Sequence, residues 1–201
     1  CIRDSIFLFA LVIRFSNQAM VAIPLAIALA WVWSGLFAPF HECTHQTAFK
    51  SKPLNEIGVW VTGVPFLMAP AVYRTFHFEH HRHTQDVDKD PELQNDPRYL
   101  HWPTGWKNWL IMASGIGLLN LKFAPLIGFA LKPESKWSSF AKWKRLIPDR
   151  KGIVRECRLI LAIWTVFIVT ALFWIPGGWY LLFAAWFTHT FQTLWIAAEH
   201  T

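Results

Sequence analysis

Residues 19–45 read AMVAIPLAIALAWVWSGLFAPF followed by HECTH. The first part, Ala19 to Phe40, is an apolar run that as a helix crosses about 30 Å of hydrocarbon. The second part, His41-Glu42-Cys43-Thr44-His45, sets two imidazoles one helical turn apart where that run meets the interface. The same juxtaposition recurs. Ile57 to Tyr73 is a shorter apolar segment containing Pro65 and Pro70, and it leads into His77-Phe78-Glu79-His80-His81-Arg82-His83. Two apolar segments thus each end in a histidine cluster.

The composition places these segments in a bilayer. Hydrophobic residues make up 54% of the 201 and charged residues only 16%, against about 45–50% and about 25% in soluble domains. Thirteen residues are Trp. A soluble domain of this size needs more charge to cover its surface. The three cysteines, Cys1, Cys43 and Cys157, are scattered and make no disulfide framework. Dinucleotide folds, disulfide scaffolds and disordered chains are excluded on these grounds.

Five apolar stretches follow in order: Ile6 to Ile13, Ala19 to Phe40, Ile57 to Tyr73, Trp109 to Leu131, and Leu159 to Ala198. Pro176-Gly177-Gly178 divides the last into two helices. The fourth is interrupted by Asn120, Lys122 and Pro125 and carries three glycines, Gly115, Gly117 and Gly128. Between Lys132 and Arg158 lie nine Lys or Arg against three acidic residues, which marks a cytoplasmic loop. A shared polar site needs both histidine clusters on one side. If the third and fourth segments are re-entrant or interfacial, both clusters, the basic loop and His200 all fall on the cytoplasmic face. The expected architecture is therefore all-α and integral to the membrane. It has about four transmembrane helices in two hairpins, plus re-entrant or interfacial elements, and a cytoplasmic histidine-rich metal site. Trp102, Trp106, Trp109, Trp179 and Tyr180 read as interfacial anchors. The basic loop reads as an inside-facing signal and anionic-lipid contact. Its charge has no recognition motif around it, so nucleic acid is not an expected partner.

His41 and His45 share a helical face, as do His77, His80 and His81. Neutral imidazole suits Fe, Zn, Ni or Cu. Five convergent ligands exceed the need of one tetrahedral zinc, so two metals are the economical reading. His83, two positions past the second face, joins the set if the helix end bends in. His200 closes the fifth segment on the same side. His189 lies mid-segment, 11 residues from His200, which is roughly 16 Å along a helix: one face, but not one metal. His101 reads as a loop residue. Glu42, Glu79 and Glu199 read as partners of ligand N–H groups or as surface carboxylates, and Cys43 as a packed small residue. Asp86 to Glu92 lacks the Gly and closing Glu of a calcium loop and reads as a capped loop. Neither a glycine-rich phosphate loop nor a serine nucleophile elbow is present.

His41-Glu-Cys-Thr-His45 resembles the first, HxxxH, box of the integral-membrane fatty acid desaturase and hydroxylase superfamily, and His77-Phe-Glu-His-His81 its second, HxxHH, box. The resemblance covers essentially the entire chain. It implies two non-haem iron ions held by His41, His45, His77, His80, His81 and His200, with His83 as a further candidate. His200 would fill the place of a ligand late in the last helical pair. It also implies O₂ activation, an acyl lipid, acyl-CoA or acyl-ACP substrate, and an electron donor such as ferredoxin, rubredoxin or cytochrome b5. The family's third histidine box is absent before Thr201. With Cys1 at one end and His200-Thr201 at the other, the expectation is one desaturase-like domain over 1–201, incomplete at both ends.

An acyl-lipid desaturase is the leading expectation. A lipid or carotenoid hydroxylase or ketolase of the same superfamily is the alternative. A zinc-dependent membrane hydrolase, a metal transporter and a non-catalytic membrane scaffold are the competing classes. Transport would need ionisable residues in mid-membrane along a path.

Overall fold

Each apolar segment of the sequence folds as helix, the form in which a chain satisfies its own backbone groups away from water. The computed structural model describes residues 2–95, 105–139, 147 and 149–199. Ten α-helices and no strands occur among the described residues. They are α1 (Ile2–Arg14), α2 (Ala19–Ser34), α3 (Phe37–Thr44), α4 (Lys52–Gly63) and α5 (Pro70–His83). After these come α6 (Pro91–Asn95), α7 (Trp106–Ala113), α8 (Ile116–Leu131), α9 (Arg150–Phe173) and α10 (Gly178–Glu199).

Two helix–turn–helix pairs fall where the sequence expects hairpins, but of their four helices only α2, continued by α3, and α9 are long and apolar enough among the described residues to cross a membrane. A turn after Arg14 joins α1 to α2, and Pro176-Gly177-Gly178 returns the chain from α9 into α10. Gly177 sits at φ +66°, and a Cβ on Gly178 would lie 1.9 Å from the Ala171 carbonyl oxygen. That turn therefore demands glycine. α10 packs along α2, α1 packs against α2 and also touches α10, and α9, α8 and α7 touch α10 as well. Small residues permit the close approach: Ala22, Ala26 and Ala30 of α2 are fully or almost fully buried with Leu181 and Ala184 of α10.

Among the described residues, two helical stretches are each long and apolar enough to cross a membrane, Ala19–Thr44 and Arg150–Phe173. The first runs through α2 and α3 with only a slight break at Gly35. The second is α9, capped by Asp149, whose Oδ1 accepts from the Gly152 N–H at 2.8 Å. The third and fourth segments are bent. Lys52–Phe66 meets Pro70–His83 at 93°, and Trp106–Ala113 meets Ile116–Leu131 at 63°. Each pair makes one broken span or one re-entrant element.

The bend in the fourth segment is not where the sequence puts it. Asn120, Lys122 and Pro125 all lie within the continuous helix α8, and the break comes earlier, at Ser114-Gly115. Gly115 adopts φ +72° and abuts α10, where an added Cβ would lie 2.5 Å from the Thr190 nitrogen. Lys122 stays helical because a neighbouring helix supplies a partner: its Nζ donates to Gln192 Oε1 of α10 at 2.6 Å.

Candidate metal centre

Box one is held by the ends of α3 and α4. His41 lies in α3 and His45 caps it, with ring centroids 4.6 Å apart. Gln46, at φ 60°, then turns the chain away. α3 sits hard against α4, for an added Cβ on Gly58 would lie 2.4 Å from Cys43 Sγ. Cys43 is buried and serves packing, as its sequence context suggests. Asn55 secures the loop between them. Its Oδ1 accepts from Phe49 N at 3.0 Å, and its Nδ2 donates to Phe49 O at 2.7 Å.

Box two rides on α5, which three contacts orient. At its start, the Ala71 N–H donates to Glu156 Oε2 of α9 at 2.8 Å, satisfying one of the free donors of a helix N-terminus. One turn on, the Arg74 guanidinium grips Glu56 of α4 through both carboxylate oxygens, at 2.7 and 3.0 Å. Tyr73 stacks on His77 with centroids 4.8 Å apart and planes 13° from parallel.

These supports bring His41, His45, His77 and His81 together, each offering one ligand atom within 4.8 Å of the others. His77 Nε2 is the hub, 2.9 Å from both His45 Nε2 and His81 Nε2. A ring nitrogen has either one proton or one lone pair to share. A cation accepting three lone pairs satisfies this convergence better than hydrogen bonding does. The electrostatics agree. Burial, and then the charges His41, His81, His45 and His80 would carry, lower the His77 imidazole to about 3. Burial also lowers His45 and His81, helped by the neighbouring histidines. Neutral imidazole is the ligating form, and a set of four imidazole nitrogens fits a borderline metal such as iron or zinc.

His80 does not point its Nδ1 into this cluster. That atom lies 2.8 and 3.0 Å from the two carboxylate oxygens of Asp90, which is 1% exposed, and 3.3 Å from Glu92. A carboxylate on Nδ1 is the arrangement that turns Nε2 of a ligating histidine toward a metal. The His80 ring is 5.8 Å from His81 and 6.3 Å from His77. His83 stands apart beside Glu79 at 3.6 Å. Of the expected carboxylate partners, Glu42 Oε1 is 3.3 Å from His41 Nδ1, whereas Glu79 engages Arg82 and His83. The stretch Asp86 to Glu92 is the capped loop expected, with Asp86 accepting from Asp88 N and Asp90 from Glu92 N. His200 and His101 lie outside the described residues, as does the side chain of Glu199.

Sequence reasoning missed two residues. Asp90 carried one available signal, an acidic residue directly before the helix-starting Pro91, but nothing in the spacing tied it to His80. Lys122 reads as a helix interruption until Gln192 appears beside it. His189, also in α10, is 1% exposed, with Nδ1 3.0 Å from the Ala185 carbonyl oxygen and Nε2 unpartnered among the described residues.

A family model described as fatty acid desaturase matches residues 18–201. Two curated relatives are a beta-carotene 4-ketolase from Haematococcus lacustris and a fatty acid desaturase from Bacillus subtilis. The first is 30% identical over 80 residues, which is 38% of this chain and 25% of the ketolase. The second is 31% identical over 70 residues, 35% of this chain and 20% of the desaturase. The aligned part thus spans a quarter or less of these relatives. No solved structure matches the chain.

Proposed function

Because the chain belongs to the fatty acid desaturase family, we propose that it forms the membrane scaffold of an O₂-dependent iron oxidoreductase acting on an acyl lipid chain. The observation that carries this reading is the convergence of His41, His45, His77 and His81 at the ends of α3 and α5. In the proposed site these four hold iron, His80 joins them through Nε2, and His200 completes the set, with His83 as a further candidate. Two irons are the favoured count, since the histidines on hand exceed what one ion needs. Iron bound there would supply O₂ activation and the removal of hydrogen from an unactivated C–H bond. Desaturation balances as one O₂, two hydrogens from the chain, two protons and two electrons from an external carrier such as ferredoxin, rubredoxin or cytochrome b5, giving two waters and one double bond.

The protein's own residues position and protect. Phe37, Phe40, Phe66 and Tyr73 form an aromatic layer against the histidines. Phe37 lies 6.3 Å from His41 and 6.2 Å from both Phe66 and Tyr73. Phe40 and Phe66 are fully buried. Buried as it is, the layer keeps water from that side of the histidines. The nine cations between Lys132 and Arg158 favour the cytoplasm for that loop, and the site is proposed on the same side.

A second reading has one specific support, the beta-carotene ketolase relative: hydroxylation or ketolation of a carotenoid or other lipid by the same centre. Placement of the substrate carbon decides between these outcomes. Iron analysis of the purified protein, with lipid product profiling of cells expressing it, tests both. New alkenes support the first reading and new alcohols or ketones the second. His41→Ala is expected to abolish turnover while leaving the protein inserted, and retained activity in that variant would overturn the site.

A further inference from the structure

Away from the histidines, a groove of about 760 Å³ opens between the end of α8 and the start of α9. Lys132, Arg150, Lys151, Arg155 and Arg158 line it, and Glu134 is the one carboxylate among the described lining residues. Arg150 pairs with Glu134, and Arg158 donates through Nε to the Ala130 carbonyl at 2.9 Å. Lys151 and Arg155 are exposed and have no ion-pair partner among the described residues. The remaining wall is apolar, with Phe129, Val154 and buried Trp137.

The helix face on which these cations stand continues as an apolar stripe. Lys151 and Arg155 are followed at spacings of four, four and three by Leu159, Ile163 and Val166. Those spacings fall on one side of a helix. The three apolar side chains are 48%, 40% and 66% exposed, on a helix long and apolar enough to cross a membrane. The surface is therefore amphiphilic in one direction, cationic at the mouth and apolar along the span.

We propose that this groove binds an anionic phospholipid. Its phosphodiester is held by Lys151, Arg155 and Arg158, and its acyl chains lie along Leu159, Ile163 and Val166. Inorganic phosphate would satisfy the cations but leave the stripe without a role. A soluble acidic protein would reach the cations but not the membrane-facing stripe. A phospholipid meets both, and basic pockets between membrane helices are suited to anionic head groups. None of the residues invoked belongs to the histidine cluster, so the site stands or falls separately from the proposed catalysis.

The test is lipid retention by the full chain in neutral detergent, titrated with phosphatidylglycerol or phosphatidylcholine and read by native mass spectrometry. Each cation near a membrane surface strengthens anionic-lipid binding roughly five-fold. The wild type is expected to prefer phosphatidylglycerol by about 25-fold or more, and Lys151→Gln with Arg155→Gln to lower that preference by about 25-fold. Equal binding of the two lipids, or an unchanged preference in the double variant, overturns the proposal. Displacement of the lipid by glycerophosphate at equal concentration also overturns it, in favour of a bare anion site. Displacement by an acidic carrier protein with no lipid preference reassigns the groove to docking. Should the variant fail to fold, the wild type decides the matter by salt. The preference must weaken between about 0.05 and 0.5 M NaCl, because exposed charges are screened over that range, and a salt-independent preference refutes it.

Discussion

His80 Nδ1 and the Asp90 carboxylate meet at 2.8 and 3.0 Å, ten residues apart in sequence and joined by a loop that Asp90 itself closes. Asp90 also accepts from the Gln85 and Glu92 N–H groups and is 1% exposed. One carboxylate therefore shapes the loop after α5 and sets which nitrogen His80 offers to a metal.

Asp90→Asn is expected to lower iron affinity about 10- to 100-fold, the usual cost of removing a carboxylate behind a ligating histidine. The amide retains an acceptor for the Glu92 N–H, so the far-ultraviolet circular dichroism should change little. Wild-type iron retention during chelator challenge would show that His80 is not held for a metal.

The hub of the cluster and its outlier should separate cleanly. His77→Ala removes the atom that both His45 and His81 face at 2.9 Å, and turnover is expected to fall by more than about 100-fold with iron near background. His83→Ala removes, among the described residues, the side-chain contact with Glu79 and is expected to keep iron and turnover within about two-fold. Atomic absorption on both variants checks this, and equal loss in both would bring His83 into the ligand set.

Acid should weaken the metal-free fold. His77 is lowered to about 3 in the fold, from an ordinary value of 6.5. Between those values the unfolded chain binds a proton that the folded chain refuses, so stability falls as the pH drops from about 6.5 toward about 3. Above 6.5 this group contributes no slope. Melting of the chelated protein at pH 7.5, 6 and 5 should show a progressively lower midpoint, and a midpoint that rises with acid would contradict the burial of His77.

The Lys122–Gln192 contact predicts a double-mutant signature. Gln192→Leu leaves the buried Lys122 amine without its 2.6 Å acceptor, though still 5.2 Å over the Phe66 ring, and is expected to cost about 1–3 kcal/mol. Adding Lys122→Met removes the orphaned donor, so the double variant should be more stable than Gln192→Leu alone. Denaturation in detergent measures all three, and simple additivity would mean the pair does not interact.

Much of this protein is legible in the linear chain. The period of the histidines puts His41 with His45 and His77 with His81, because a helix repeats every 3.6 residues. The apolar runs dictate helix, and Pro176-Gly177-Gly178 dictates the turn between α9 and α10. The break in the fourth segment was not readable there. Asn120, Lys122 and Pro125 are locally the better interruptions, yet Gly115 takes the bend because it alone fits beside the α10 backbone at Thr190.

By itself the sequence determined an all-helical apolar bundle with imidazoles grouped at helix ends, since periodicity and hydropathy are properties of neighbours along the chain. Tertiary structure decided which of those imidazoles face one another. His45 and His77 are 32 positions apart and meet at 2.9 Å because the pairing of Arg74 with Glu56 and the seating of Cys43 against Gly58 fix α3, α4 and α5 together. It also decided that His80 turns to Asp90 and Lys122 to Gln192. A buried polar group takes whatever partner the packing brings within reach, and the chain's local order does not record that partner.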